Sequence, residues 1–138
     1  DNILSGNVDL IVLGISSKGI EWVADQLHRI YQDKKLPNLL MLTKGLSIHE
    51  NNYELLIDKL ERLLSLKGIK ETNISAVGGP CLATGLANRV HSSVVIANKD
   101  ISIAKKIAEK TIIIPLFYPS HTFTTFNSAH PKKQKSKK

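Results

Sequence analysis

The chain has few of the residues that would assign it to several common protein classes. Among 138 residues it contains a single cysteine, Cys81, which excludes an intramolecular disulfide and a multi-cysteine zinc site and favours a reducing, cytoplasmic compartment. Its apolar runs are far too short to cross a bilayer, so we expect no membrane-spanning segment. Asp1 takes the place of a methionine and no signal peptide follows, so we expect a piece of a longer protein or a processed product.

Charge of one sign is also scarce outside one segment. The net charge is +7, but residues 131–138 hold five lysines and no acid, and 14 basic and 12 acidic residues remain before them. No aromatic residue interleaves these lysines, so they offer no stacking platform for bases and argue against nucleic acid as a partner. Weak, salt-sensitive binding stays an alternative. With 42% apolar residues, the rest is typical of a globular domain.

Short apolar runs alternate with amphipathic segments along the chain. The run at residues 8–15 predicts a buried strand, and apolar residues at helical spacing predict a helix over residues 18–32. Further strands are predicted at residues 39–43, 74–77, 93–97 and 111–118, with Pro115 confining the last to a sheet edge. Further helices are predicted at residues 51–66, 81–88 and 100–110. This alternation indicates an α/β fold with a mainly parallel sheet, flanking helices and right-handed crossovers.

The domain boundary is expected after residue 118. Residues 119–138 contain six serines or threonines and five lysines but no leucine, isoleucine or valine, so we expect a disordered or loosely attached tail. Residues 1–118 would form the folded domain.

Polar and glycine residues follow three of the predicted strands, at residues 16–18, 43–46 and 78–81. If these strands are parallel, the three segments lie at one edge of the sheet, where ligands of such folds bind. Lys44 is the main candidate, because its ammonium would pair with a phosphate or polarise a carbonyl; the alternative is a surface lysine in a turn. Gly79 belongs either to an anion site at a helix start or to a tight turn that needs positive φ.

Two kinds of site find little support. Cys81 would begin a helix, which lowers a thiol pKa, but with no histidine near it in sequence we do not expect it to be a nucleophile. No histidine pair has metal-ligand spacing, so we expect no metal. The eight glycines never form G-x-G-x-x-G, so the phosphate-binding turn of dinucleotide folds is missing.

Four segments in this order and spacing resemble the NAD(P)-dependent glycerol-3-phosphate dehydrogenases. They are DLIVLGISS at residues 9–17, LTKGL at 42–46, VGGPCLA at 77–83 and SVVIANKD at 93–100, and the similarity spans roughly residues 1–110. It implies an incomplete Rossmann-like domain, the later half of the family's amino-terminal nucleotide-binding domain. The family's first strand, with its glycine-rich turn, would lie before Asp1.

The resemblance also implies roles for single residues. Lys44 matches the lysine that contacts both the nicotinamide cofactor, NAD or NADP, and the substrate. Gly79 and Cys81 match substrate contacts, Ala83 matches a cofactor contact, and we add Ser17 to the cofactor contacts. Three positions depart from the pattern: Cys81 usually carries serine or threonine, Gly85 glutamate and Ser16 proline.

The implied activity is hydride transfer between NAD(P) and glycerol 3-phosphate or dihydroxyacetone phosphate. Its partner is a phosphorylated small molecule, and a homodimer is left open for the complete enzyme. The chain alone is expected to be inactive, because the glycine-rich turn and the family's proton-transfer lysine are missing from it. The alternative hypothesis is a non-catalytic α/β remnant or interaction module with a basic tail.

Overall fold

The computed structural model describes residues 4, 6–79, 83–88, 92–111, 117–119 and 124–125. Within them the chain forms eight strands, four α-helices and a short 3₁₀ helix at Ser17–Gly19. The strands are β1 Leu10–Leu13, β2 Asn38–Met41, β3 Leu46–His49, β4 Asn52–Leu55, β5 Ile74–Gly78, β6 Ser92–Asn98, β7 Phe117–Pro119 and β8 Thr124–Thr125. The helices are α1 Ile20–Tyr31, α2 Leu56–Leu66, α3 Ala83–Ala87 and α4 Ile101–Thr111.

The main sheet has the strand order β1-β2-β5-β6-β7, and β8 also pairs with β6. Strands β1, β2 and β5 run parallel, which confirms the predicted α/β class and brings the three predicted strand ends to one edge. Strand β6 runs antiparallel to β5, so the expectation of a parallel crossover between them was wrong. Its physical reason is the connection: the described helix in it, α3, has five residues, and a parallel return needs a crossover of a dozen or more residues, usually with a longer helix.

Helices cover the two faces of this sheet. On one face, α1 and α2 pack against each other and against the inward side chains of β1 and β2, such as Leu13, Leu39 and Met41. The ion pairs Lys59–Glu21 (2.9 Å) and Lys67–Asp25 (2.6 Å) join the two helices at their outer surface. On the other face, α4 packs on β6. None of the helices in the described ranges is long and apolar enough to cross a membrane.

A β-hairpin that was not predicted lies between β2 and α2. Strands β3 and β4 pair antiparallel, with Ile48 opposite Tyr53, and the turn residues Glu50 and Asn51 have φ of 49° and 62°. The predicted helix over residues 51–66 therefore begins at Leu56 instead. Two successive residues in the left-handed region form the kind of turn that joins hairpin strands and cannot belong to a right-handed helix.

Other predicted elements differ in their bounds. Strand β1 is shorter than the predicted 8–15, and a 3₁₀ turn precedes α1. Thr111, predicted in a strand, ends α4, where its hydroxyl donates to the Ala108 carbonyl at 3.0 Å. Pro115 and Cys81 lie outside the described residues. Within the predicted disordered tail, Thr124–Thr125 pairs with β6, and residues 126–138 are not described.

Candidate functional site

Lys44 and Gly79 meet at the carboxyl edge of the sheet. Lys44 follows β2 and Gly79 follows β5, the parallel strand beside it. The Lys44 ammonium donates a hydrogen bond to the Gly79 carbonyl, with 2.5 Å between Nζ and O. Two segments that are 35 residues apart in sequence are thereby joined by the side chain that the sequence singled out.

Glycine conformations frame this contact. Gly45 has φ +135° and Gly79 has φ +111°, both in a region that residues with a side chain rarely adopt. A Cβ on Gly45 would also lie 3.5 Å from Leu56 Cδ1. Gly79 thus has the positive φ of the turn interpretation, and in that conformation its carbonyl accepts from Lys44.

Thr43 links the loops that follow β1 and β2. Its hydroxyl donates to the Ile15 carbonyl, one step beyond the backbone bond from Leu42 N to Leu13 O at 3.1 Å. Sequence reasoning included Thr43 in a strand-end segment and gave it no role. The contact depends on the register that sets Leu13 beside Met41, and no local sequence signal specifies that register.

A cleft of about 320 Å³ opens beside Lys44. Its walls are largely apolar and include Leu55 and Leu56 from the end of the hairpin and start of α2, Ala76 and Val77 from β5, and Ala97 from β6. Thr43 and Lys44 bring polar groups to the lining. Such a cleft can hold an apolar ring or chain against its walls while an anionic group meets the ammonium. The hairpin wall was missed in the sequence, and the signal that could have revealed it is the Glu50-Asn51 turn.

An ion-pair network holds the hairpin against α2. Arg62 Nη2 and Nε lie 2.8 and 3.2 Å from the two Glu54 carboxylate oxygens, and the Ser47 hydroxyl donates to Glu54 at 2.9 Å. The bonds from Arg62 hold the pKa of Glu54 below its ordinary value. On the same helix, burial raises the pKa of Asp58. The network fixes the wall that Leu55 and Leu56 give to the cleft.

The other predicted site residues are less closely associated with Lys44. Ser17 lines an adjoining polar cleft of about 370 Å³, together with Lys18 and Lys59, and the two clefts share Leu56 as a wall. Ala83 is the first residue of α3. The structure therefore joins Lys44 to Gly79 and sets Ser17 on a neighbouring surface. Among the described residues, no group of three histidine, cysteine or acidic side chains could hold a metal ion.

The sequence of the chain was compared with known families and proteins. The family model described as the N-terminus of NAD-dependent glycerol-3-phosphate dehydrogenase matches residues 4–104. The chain belongs to this family. The glycerol-3-phosphate dehydrogenases [NAD(P)+] of Rickettsia typhi and Rickettsia prowazekii are 38% and 33% identical to it over 117 residues. Each match covers 85% of this chain and 32% of the relative, so the chain spans about a third of these relatives.

Solved structures support the same fold for this member of the family. The glycerol-3-phosphate dehydrogenase of Coxiella burnetii superposes with a TM-score of 0.58 at 18% identity, over 86% of this chain and 31% of that one. The enzyme of Plasmodium falciparum superposes with a TM-score of 0.62 at 19% identity, over 87% and 30%. The resemblance stated from the sequence, to the nucleotide-binding part of the family, is therefore confirmed, and so is the Rossmann-like fold class.

Proposed function

We propose that this chain forms part of the reaction site of a cytoplasmic glycerol-3-phosphate dehydrogenase, with Lys44 as its central residue. The observation that carries the proposal is the hydrogen bond from Lys44 to Gly79 at the mouth of an apolar cleft. In the proposed reaction, the carbon that bears the substrate's secondary hydroxyl gives up a hydride, the hydroxyl gives up a proton, and a ketone forms. When bound, NAD or NADP supplies the hydride acceptor.

The described residues fit a nicotinamide cofactor and a phosphorylated substrate. Apolar walls suit a flat ring, and the bare backbone of Gly45 and Gly79 lets a ligand approach closely. Lys44, Ser17 and Ala83 would hold the cofactor, and Lys44, Gly79 and Cys81 would contact the substrate. These roles follow the family pattern, and the Lys44–Gly79 contact supports them for the two residues that it joins.

The role proposed for Lys44 is electrostatic. An ammonium has three N–H donors, and one of them reaches Gly79, so two are available to a ligand. They would bind an anionic or carbonyl oxygen and stabilise the negative charge that develops on the substrate oxygen as the proton leaves. Because Lys44 is exposed at the cleft mouth, a ligand reaches it without displacing the core.

The isolated chain is proposed to bind weakly and to turn over little or no substrate. It spans about a third of its relatives, and its sequence contains no G-x-G-x-x-G segment to hold a pyrophosphate. A dissociation constant on the order of millimolar for glycerol 3-phosphate is expected from one ammonium and a few backbone groups.

The test is a titration of the isotope-labelled chain with glycerol 3-phosphate and, separately, with NADH, followed by amide NMR. We expect the Lys44 and Gly79 amides to shift, Lys44→Gln to abolish the shifts, and Lys70→Gln, which changes an exposed lysine elsewhere, to leave them unchanged. Unmoved amides at both positions with both ligands would contradict the binding role. Oxidation of NADH with dihydroxyacetone phosphate by the chain alone, abolished by Lys44→Ala, would contradict its inactivity.

A further inference from the structure

Thr43 occupies a distinctive place beside the candidate site. It follows the last residue pairs of β1 and β2, where the backbone ladder ends and two loops begin. Its hydroxyl donates to the Ile15 carbonyl, so the loop after β2 is tied to the loop after β1. The side chain is half-buried and contributes to the lining of the cleft.

The anchor precedes Lys44 directly, and Gly45 follows with φ +135°. Residue 44 therefore lies between a fixed point and a residue whose backbone is unusually permissive. In extended chain, successive side chains point in opposite directions. With the Thr43 side chain held toward the β1 loop, the Lys44 side chain is directed to the other side, where Gly79 accepts from its ammonium.

We propose that Thr43 is the positioning residue for Lys44, a role that rests on the proposed function of that lysine. The hydrogen bond to Ile15 sets the backbone at the end of β2, and that backbone holds the ammonium on the Gly79 carbonyl before any ligand arrives. A ligand then meets a cation that is already in place, so less conformational freedom is lost on binding. A threonine that served only to stabilise the fold would leave the Lys44–Gly79 contact unchanged when replaced.

The test compares three variants of the full chain. Thr43→Val removes the hydroxyl and keeps the shape, Thr43→Ser keeps the hydroxyl, and Thr111→Val removes a hydroxyl that also bonds a backbone carbonyl, at the end of α4. The first measurement needs no ligand: a nuclear Overhauser contact between the Lys44 ε protons and Gly79 Hα. We expect it in the parent chain, in Thr43→Ser and in Thr111→Val, and we expect its loss in Thr43→Val.

The second measurement is affinity for glycerol 3-phosphate by amide NMR, at a temperature where every variant is folded. Thr43→Val is expected to weaken binding about tenfold, while Thr43→Ser and Thr111→Val stay within about twofold of the parent. Retention of the Lys44–Gly79 contact in Thr43→Val, or its equal loss in Thr111→Val, would overturn the positioning role. A parent chain that has the contact, loses it in Thr43→Val and binds no ligand would instead overturn the proposed function.

Discussion

The Asn98 side-chain amide lies 2.7 Å from the Ser75 hydroxyl, and both residues are buried between neighbouring strands. The same Asn98 nitrogen donates to the Ile74 carbonyl at 3.1 Å, and the Asn98 side-chain oxygen accepts from the Asp100 backbone N–H at 2.8 Å. One side chain therefore closes the end of the antiparallel β5–β6 pair and begins the turn into α4.

Replacing Asn98 with alanine should destabilise the chain through these partners. The Ser75 hydroxyl and the Ile74 carbonyl would lose a partner in the interior, which costs about 2 kcal/mol of the free energy of unfolding. Urea denaturation followed by circular dichroism measures the loss. Asn73→Ala, at an exposed position, is the control and should change stability by less than about 0.5 kcal/mol. Equal effects of the two substitutions would contradict the structural role of Asn98.

The bond between Glu54 and Arg62 predicts a pH-dependent contribution to stability. Glu54→Gln keeps the shape and removes the charge, so it should lower the free energy of unfolding at pH 7 by about 1.5 kcal/mol, the worth of a hydrogen bond to a charged group. Glu71→Gln, at an exposed position, should have little effect. The comparison is made by urea denaturation of both variants and the parent.

The sign of the pH dependence follows from the lowered pKa of Glu54 in the folded chain, which arises mainly from the hydrogen bonds with Arg62. The charged carboxylate favours folding, so the stabilisation is complete above the ordinary pKa of 4.5 and disappears as pH falls through the lower folded-state value. The difference between the parent and Glu54→Gln should therefore be present at pH 7 and absent once the pH is below that value. A difference that persists unchanged in acid would show that charge is not its cause.

Two leucines on α2 provide a matched test of the core. Leu60 is fully buried between α2 and the sheet, whereas Leu66 is 76% exposed at the end of the helix. Leu60→Ala should lower the free energy of unfolding by about 3 kcal/mol because it removes buried apolar contacts and leaves a cavity. Leu66→Ala makes the same chemical change and should cost less than about 1 kcal/mol. Thermal and urea unfolding distinguish the two, and similar losses would contradict the packing described for α2.

Gly45 is predicted to tolerate a side chain poorly because of its backbone. Gly45→Ala places a Cβ on a residue with φ +135° and close to Leu56, which should destabilise the chain by about 1–2 kcal/mol. Gly14→Ala is the control: its added Cβ would meet Leu42 Cδ1 at an ordinary 3.9 Å, and it should not destabilise the chain. Denaturation by urea measures both variants. A neutral Gly45→Ala would show that the loop after β2 accepts another conformation.

The sequence was sufficient for the elements whose local pattern and tertiary setting agree. Buried β2 was predicted because the run Leu39-Leu40-Met41 is apolar on both faces, and α1 because its apolar residues repeat at helical spacing. The β3–β4 hairpin was missed because Leu55 and Leu56 continue the helical stripe of α2, so the pattern gave no boundary between strand and helix. The turn at Glu50 and Asn51, which sets that boundary, depends on two φ values that the chemistry of those residues permits without requiring.

The candidate site shows the same division. Lys44 and Gly79 were selected because each follows a predicted strand, and this argument needs only the rule that ligands bind at the carboxyl edge of parallel strands. Their direct contact could not be predicted, since it depends on β5 lying beside β2 and on the backbone conformation of Gly79. Nor could the antiparallel direction of β6, because the apolar run at residues 93–97 reads the same in either direction.

That reversed direction has a consequence for variation within the family. Strand β5 ends and β6 begins at the same edge of the sheet, the edge where Lys44 lies. A segment that leaves and returns at one edge can gain or lose residues without shifting the register of any strand. Changes in length between Gly79 and Ser92 would therefore remodel the rim of the cleft and spare the scaffold. Exchange of this segment between relatives is accordingly a route to new ligand preference on an unchanged sheet.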